Sequence, residues 1–572
     1  MTWATRFLFL LLGAPLLVGS VLALAPAFAY YMPDGSFNDP LNHSSNHPAG
    51  LIPPAFFALV STPGIATSAM TSLLAGLLTP ALSLVSVFLF LAATQTGRAS
   101  KLIAQLAAPV LAIPHAAAAF ALALLLAPTG VASRLVATLA GWELPPDYLF
   151  INHPNSVALV LGLALKEAPF VLLVALAALP STAAPRRVAL ARTLGYGPTT
   201  AWLLTVAPAL YPLIRLPLFA VIVFASSTVD VALILGPSLP PTLSVRLVEW
   251  FVAPEIEQRQ LASAAALLQL FISLSALGIW LLFERLIARA YATIAARGAP
   301  REASRVSRFE AVLTPVGNAL LPISLVLVLM GIAALCLASV GGQWRYPTIL
   351  PTTWSLQHWS AALSSWQAPL FNAIAIALLS VTAAIVLSLV TLEAQARSRA
   401  GTASLSTFLY LPLLIPQVVF ISGIAVFAER TRLPPSLLLV AVGHFFFVMP
   451  YVYLTLQSGY ARLDSRWLLL AKTLGASRTV CFWRVRIPLM STQLITAAML
   501  GLTISLSLYL PTQILGAGRV PTITTEAIAL VSSGSRGTIG TWALLQSALP
   551  TLCFMLALLL PRLIWSKRKG ML

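Results

Sequence analysis

Charge is what this chain has least of. Asp, Glu, Lys and Arg together make up 9% of the 572 residues, where a soluble domain carries roughly 25%. With apolar residues at 59%, that scarcity excludes an ordinary soluble fold and predicts a membrane protein. Acidic residues are the rarer sign, 16 against 34 Lys and Arg, for a net charge of +18. In a soluble chain such an excess would suggest nucleic acid. Here the basic residues sit in short loops between apolar runs, where they set orientation, and no nucleic-acid partner is expected. Cysteine is scarce too: Cys336, Cys481 and Cys553 lie far apart and form no Cys-x-x-Cys pair, which excludes a disulfide framework and a cysteine metal site. The six histidines are scattered. With no His-Glu-x-x-His and no Gly-x-Ser-x-Gly, neither catalytic nor metal-binding residues are assigned. No Gly-Lys dipeptide occurs, so the chain lacks the phosphate-binding loop GxxxxGK[ST].

What the chain has instead is long apolar runs, each near the roughly 20 residues that cross a bilayer. Twelve spans are expected, about 7–30, 70–94, 102–126, 149–179, 209–235 and 261–284, then 313–340, 372–394, 403–428, 437–456, 489–515 and 541–563. The first follows Arg6, and its apolar core exceeds the roughly 7 to 15 residues of a cleavable signal, which predicts a retained helix. The polar segment Met32–Gly50 holds Asp34, Asp39, His43 and His47 without metal-ligand spacing and reads as a solvated loop. The fold class is therefore an all-α polytopic membrane protein of about 12 transmembrane helices, arranged as two six-helix halves. The first module covers 1–285 and the second 313–572. The basic segment 286–312 between them is expected to be a cytoplasmic connector. Lys and Arg concentrate in alternate loops, among them Arg186, Arg187, Arg297, Arg301, Arg466, Arg478 and Lys567. That bias places both termini on the cytoplasmic side. The outer stretch with Trp344, Trp354, Trp359 and Trp366 fits an interfacial belt or a partner-binding surface.

One stretch occurs twice. Residues 189–208 read ALARTLGYGPTTAWLLTVAP and residues 469–488 read LLAKTLGASRTVCFWRVRIP. In each, a basic residue (Arg192, Lys472) precedes Thr-Leu-Gly, and a proline (Pro208, Pro488) stands thirteen positions after the glycine (Gly195, Gly475). The offset is constant, 475 − 195 = 280 and 488 − 208 = 280, too long for a solenoid unit and indicative of two related, fused halves. Glycine permits a sharp bend between short helices, and proline suits the first turn of the following membrane helix. The expectation is a compact helical knob on the cytoplasmic side of each half.

The pair resembles the EAA loop of binding-protein-dependent ABC importer permeases, where Glu-Ala-Ala-x-x-x-Gly precedes a hydrophobic-Pro pair. Ala191, Gly195 and Pro208 match in the first copy, and Ala471, Gly475 and Pro488 in the second. The aromatic stretch His444–Tyr451 resembles the signature that precedes this loop. Leu235-Gly236 and Pro241-Thr242 recur as Leu515-Gly516 and Pro521-Thr522. The fused layout is similar to thiamine and ferric-iron permeases. The resemblance implies docking of an ATPase subunit dimer through Ala191, Arg192, Gly195, Pro208, Ala471, Lys472, Gly475 and Pro488. It further implies a periplasmic solute-binding protein, a bacterial inner-membrane location, and a chain that is not itself an enzyme. ATP would bind on the partner ATPase, with no cofactor on this chain. The sequence departs from the family where its glutamate stands, at Ala189 and Leu469. A twelve-helix ion-coupled secondary transporter is the alternative, but it has no need of matched docking knobs.

Ionisable residues inside a membrane are costly and point to function. Lys166 and Glu167 fall mid-span. Either one lines a central pathway while the other finds a partner such as Asp230 or Arg215, or the two neutralise each other in the bundle or sit closer to the interface. Pro114-His115 and Pro416-Gln417 occupy matching third-helix positions. Broken helices of this kind border translocation routes or are plain packing kinks. His115, Gln417 and His444 join Lys166 and Glu167 as candidate path residues.

Overall fold

The computed structural model describes residues 20–24, 30–31, 37–38, 54–95, 97–297, 303–398 and 411–564. The first expected span and the loop 32–50 lie mostly outside these residues. A two-residue antiparallel ladder, Tyr30–Tyr31 with Phe37–Asn38, accompanies an otherwise helical chain.

The first half runs α1 (Pro54–Ser61), α2 (Ile65–Thr94), α3 (Arg98–Ala112), α4 (His115–Leu126), α5 (Val131–Ala140), α6 (Val157–Ala178), α7 (Ala184–Thr193), α8 (Pro198–Thr205), α9 (Ala207–Ser227), α10 (Asp230–Leu235), α11 (Leu243–Val252) and α12 (Ile256–Arg297). The second half follows with α13 (Ala303–Val340), α14 (Gln357–Ser365), α15 (Gln367–Ser398), α16 (Leu411–Leu414), α17 (Gln417–Arg430), α18 (Leu437–Arg462), α19 (Ser465–Thr473), α20 (Arg478–Val480), α21 (Ser491–Ser507), α22 (Leu510–Gly516), α23 (Ile523–Ala529) and α24 (Arg536–Ile564). Among the described residues nine helical stretches are long and apolar enough to cross a membrane. They become ten if Arg478–Leu489 and Ser491–Ser507, bent by 71°, form one broken span.

Several expected spans are interrupted where the backbone loses a donor or turns. The span 102–126 is α3 and α4, parted at Pro114, and its mate is parted at Pro416 between α16 and α17. A proline has no N–H for the carbonyl four residues earlier, so each helix stops before it. The spans 209–235 and 489–515 also break, at Thr228–Val229 and Leu508–Tyr509. Both are followed by a short helix, α10 or α22. The connector 286–312 is mostly helix: α12 continues to Arg297 and α13 starts at Ala303.

From α6 onward the halves match at an offset of 437 − 157 = 280, but the broken third helices match at 417 − 115 = 302. The first half thus carries 302 − 280 = 22 extra residues between its third and fourth helices, a segment that includes α5. Packing respects a pseudo-twofold relation: α12 rests on α17 of the other half, and α24 rests on α3 and α4. The broken third helices therefore lie at the interface between halves. Helix α13 opens the second half yet packs chiefly on α2 and α4 of the first, as well as on α24. The run Ala116–Ala119 on α4 is wholly buried, and small side chains permit this close helix approach.

The end of the bundle away from the repeated loops is stitched by arginines. Arg134 on α5, only 1% exposed, donates to the carbonyls of Thr129 at 3.0 Å, Arg345 at 2.8 Å, Thr348 at 2.6 Å and Trp344 at 3.2 Å. Arg536 of the second half reaches back to Thr129 of the first. Trp344 of the outer tryptophan stretch lies 4.8 Å from the Arg134 guanidinium, where a flat cation on an indole face is favourable.

Candidate functional site: the paired loops and the polar interior

The two repeated loops form the same turn for the same reason. In the first, α7 ends as Gly195 adopts φ +91°. The Tyr196 N–H donates to the Ala191 carbonyl at 3.4 Å, and the Gly195 N–H to the Arg192 carbonyl at 3.0 Å. In the second, α19 ends at Gly475 with φ +80°, with Ala476 bonded to Ala471 and Gly475 to Lys472, both at 3.0 Å. This is the Schellman termination, in which a left-handed residue satisfies the last helical carbonyls. The shared Ala-x-x-x-Gly spacing is its footprint. A Cβ at either glycine would meet nothing within 4 Å, so backbone conformation, not space, selects glycine. Pro208 stands in the first turn of the next membrane helix, as expected, whereas Pro488 closes the helical stretch Arg478–Leu489, just before the 71° bend that leads into α21.

Each knob presents apolar residues outward. Val188 and Ala191 on α7 face the bundle, while Leu190 and Leu194 are 67% and 68% exposed. The second loop exposes Trp467, Leu469, Leu470 and Leu474, the last by 80%. Arg192 and Lys472 are exposed, and so are Ala189 and Leu469, where a glutamate was missed.

Deeper in the bundle, Lys166 and Glu167 on α6 are both buried and do not pair with Asp230 or Arg215. The Lys166 Nζ donates to the carbonyls of Val110 and Leu111, 3.0 Å each. Val110 is the carbonyl that Pro114 cannot serve, so the ammonium seals the broken end of α3, where the helix dipole is negative. Glu167 Oε1 lies 2.8 Å from Nε2 of His115, the first residue of α4. The His115 side chain is 36% exposed and its ring sits 4.7 Å from that of Phe224. Asp230 accepts from Thr228 at 2.9 Å, and Arg215 pairs with Glu284 at 2.8 Å.

The second half has the same break without the charges. Phe446 and Phe447, 280 positions after Lys166 and Glu167, pack edge-on against Phe420 of α17 at 5.2 and 5.9 Å. The Gln417 Nε2 is buried and has no hydrogen-bond partner among the described residues. His444 is 2% exposed and fully engaged, with Nδ1 2.8 Å from Ser505 Oγ and Nε2 2.9 Å from Thr512 Oγ1. It bridges the break between α21 and α22.

Comparison with known proteins agrees with this architecture. Residues 380–566 match the family described as binding-protein-dependent transport system inner membrane component. The inner membrane ABC transporter permease protein YnjC of Escherichia coli is 32% identical over 420 residues, which span 73% of this chain and 74% of that protein. The chain belongs to the ABC transporter permease family. Shorter relatives cover one half only. The putative 2-aminoethylphosphonate transport system permease protein PhnV of Salmonella typhimurium is 29% identical over 250 residues, 42% of this chain and 89% of its own length.

As a permease of this family the chain is a multi-pass inner-membrane protein and not an enzyme in its own right. Sequence reasoning missed what holds the permease's first loop. Glu310 on α13 accepts from Thr199 N at 2.5 Å, Thr200 N at 3.2 Å and Thr200 Oγ1 at 2.7 Å, capping α8. The signal was available: Gly197 stands where the second copy has Ser477, whose hydroxyl caps its own helix through Val480 N at 3.3 Å. A helix start without a capping side chain calls for a cap from elsewhere.

Proposed function

We propose that this permease is the fused membrane subunit of an importer, moving a small solute from a periplasmic binding protein into the cytoplasm. Both loops lie on the cytoplasmic side in this reading, as do both termini. Each knob receives one subunit of a separate ATPase dimer, which binds the ATP. The observation that carries it is the duplicated Schellman turn with its outward apolar residues, held at the same end of both halves. Leu190 and Leu194 on one knob, and Leu470 and Leu474 on the other, supply contact area in place of the absent glutamates, with Arg192 and Lys472 beside them. The solute passes between the halves, where the broken third helices bring His115 and Gln417. Lys166, Glu167 and His444 brace the breaks on either side.

The fused layout favours a thiamine-like solute or ferric iron, and the PhnV relatives add 2-aminoethylphosphonate as a third solute to test. Two experiments check the proposal. Co-purification of the cognate ATPase should be lost when Leu194 and Leu474 are both changed to Glu; retention would sink the docking role. The solute retained by the cognate binding protein, identified by mass spectrometry, decides among the three substrates.

A further inference from the structure

The connector between the halves does more than join them. Its two helical arms meet the short helix α8 at opposite ends. At the N-terminus, Glu310 of α13 takes three hydrogen bonds from Thr199 and Thr200. One turn on, Thr314 Oγ1 lies 2.8 Å from Thr199 Oγ1. At the C-terminus, the Tyr291 hydroxyl of α12 donates to the Leu204 carbonyl. Gly197 makes room for this: a Cβ there would come within 2.5 Å of the Glu310 carboxylate. The second loop has a different arrangement. Ser477 caps its own helix, and Arg486 pairs with Glu393 of α15 in the same half. At the matching offsets, 310 − 302 = 8 and 291 + 280 = 571, the sequence has Leu8 and Met571, neither of which carries a side chain able to repeat the role.

We propose that the connector is a clamp that fixes α8, the second helix of the first docking loop, to α13. Because α13 packs on α2 and α4 of one half and on α24 of the other, displacement of the first loop by its ATPase subunit is delivered directly to the helix lying between the halves. Glu310 and Tyr291 are then positioning residues for coupling. Among the described residues the side-chain ties of the second loop named above stay within its own half. This rests on the docking role proposed above, and the two fail separately.

The test uses the full chain with its cognate ATPase in lipid nanodiscs. Two readouts are taken: amide exchange over residues 198–205, and kcat and KM for MgATP hydrolysis. Glu310→Ala should raise exchange in α8 about tenfold, as expected for loss of hydrogen bonds to a charged acceptor. It should lower kcat severalfold with KM unchanged. Adding Gly197→Ser supplies the local cap that Ser477 provides in the other loop. That double variant should restore slow exchange at the start of α8 yet leave kcat low, because the tie to α13 is still cut. Full recovery of kcat would overturn the proposal by showing that Glu310 is only a cap. If Glu310→Ala does not insert, Tyr291→Phe decides, since it removes one bond without changing shape; parental exchange and kcat in that variant overturn the clamp. Leu194→Glu serves as the control for docking: if it leaves ATPase co-purification intact, the docking role fails, while exchange in α8 still judges the clamp.

Discussion

The first and second repeated loops share a turn and differ in what holds them. Loop one is anchored inward: Trp202 is 1% exposed and packs edge-on to Phe88 at 5.7 Å, and both ends of α8 are tied to the connector. Loop two is mostly exposed, with Trp483 62% accessible, and is tied by Arg486 to Glu393 and to the face of Tyr460 at 5.0 Å. The same contrast runs into the membrane. The first half closes its broken third helix with a lysine ammonium and the second closes its own with phenylalanine rings. Two copies of one design have kept the backbone turn, which is fixed by glycine and proline, and exchanged the side chains that brace it. A duplicated module therefore retains what backbone geometry demands, and diverges where several chemistries give equal support.

Substitutions that remove a brace from one half should break this comparison most clearly. Phe446→Ala empties a well-packed site at the second break and should cost about 3–5 kcal/mol, read as a lowered unfolding midpoint in detergent. Lys166→Met keeps the apolar stem but removes the ammonium from two helix-end carbonyls, of which Val110 keeps only the 3.3 Å bond from Ile113 N, an expected loss of about 1–3 kcal/mol. If Lys166→Met has no effect, the ammonium does not seal α3 and the two breaks are not equivalent. Gly195→Ala and Gly475→Ala should each cost about 1–2 kcal/mol, because only the left-handed backbone opposes them. Equal values would sharpen the claim that the turn is the shared element, and unequal values would show that the connector or another contact has entered it. Ser477→Ala should be mildest, about 1 kcal/mol of local stability at the start of α20, detected as faster amide exchange confined to loop two.

Class, most of the apolar helices and the turn in both loops could be read in the sequence because they rest on local signals: apolar runs and a glycine at a fixed spacing. The third-helix breaks were legible too, since Pro114 and Pro416 act on their own helices. Partners across the fold were not. For Lys166 and Glu167 the partners weighed were charged ones, Asp230, Arg215 or each other, yet Lys166 serves Val110 and Leu111, whose carbonyls are invisible in a list of charged residues. The clue lay in Pro114, which removes an N–H and so leaves a carbonyl in need of a donor. Glu310 and its acceptor role were hidden for a similar reason: 111 positions separate it from Thr199, and only the absence of a cap at Gly197 pointed to it. Segment 286–312 was expected to be a bare connector because its charge suits a loop, whereas α12 and α13 extend into it from both sides and leave only 298–302 outside the described helices.

Gly197 also bears on how the chain can be divided. A helix start that relies on a carboxylate from the other half is complete only while the halves stay together. Within one polypeptide that carboxylate is present at an effective concentration on the order of millimolar, however little protein the membrane holds. Cut between Arg297 and Ala303, the same contact would have to form between two diffusing chains, and the first half alone would carry an uncapped helix. The covalent connection thus keeps the cap of the first loop within reach of α8.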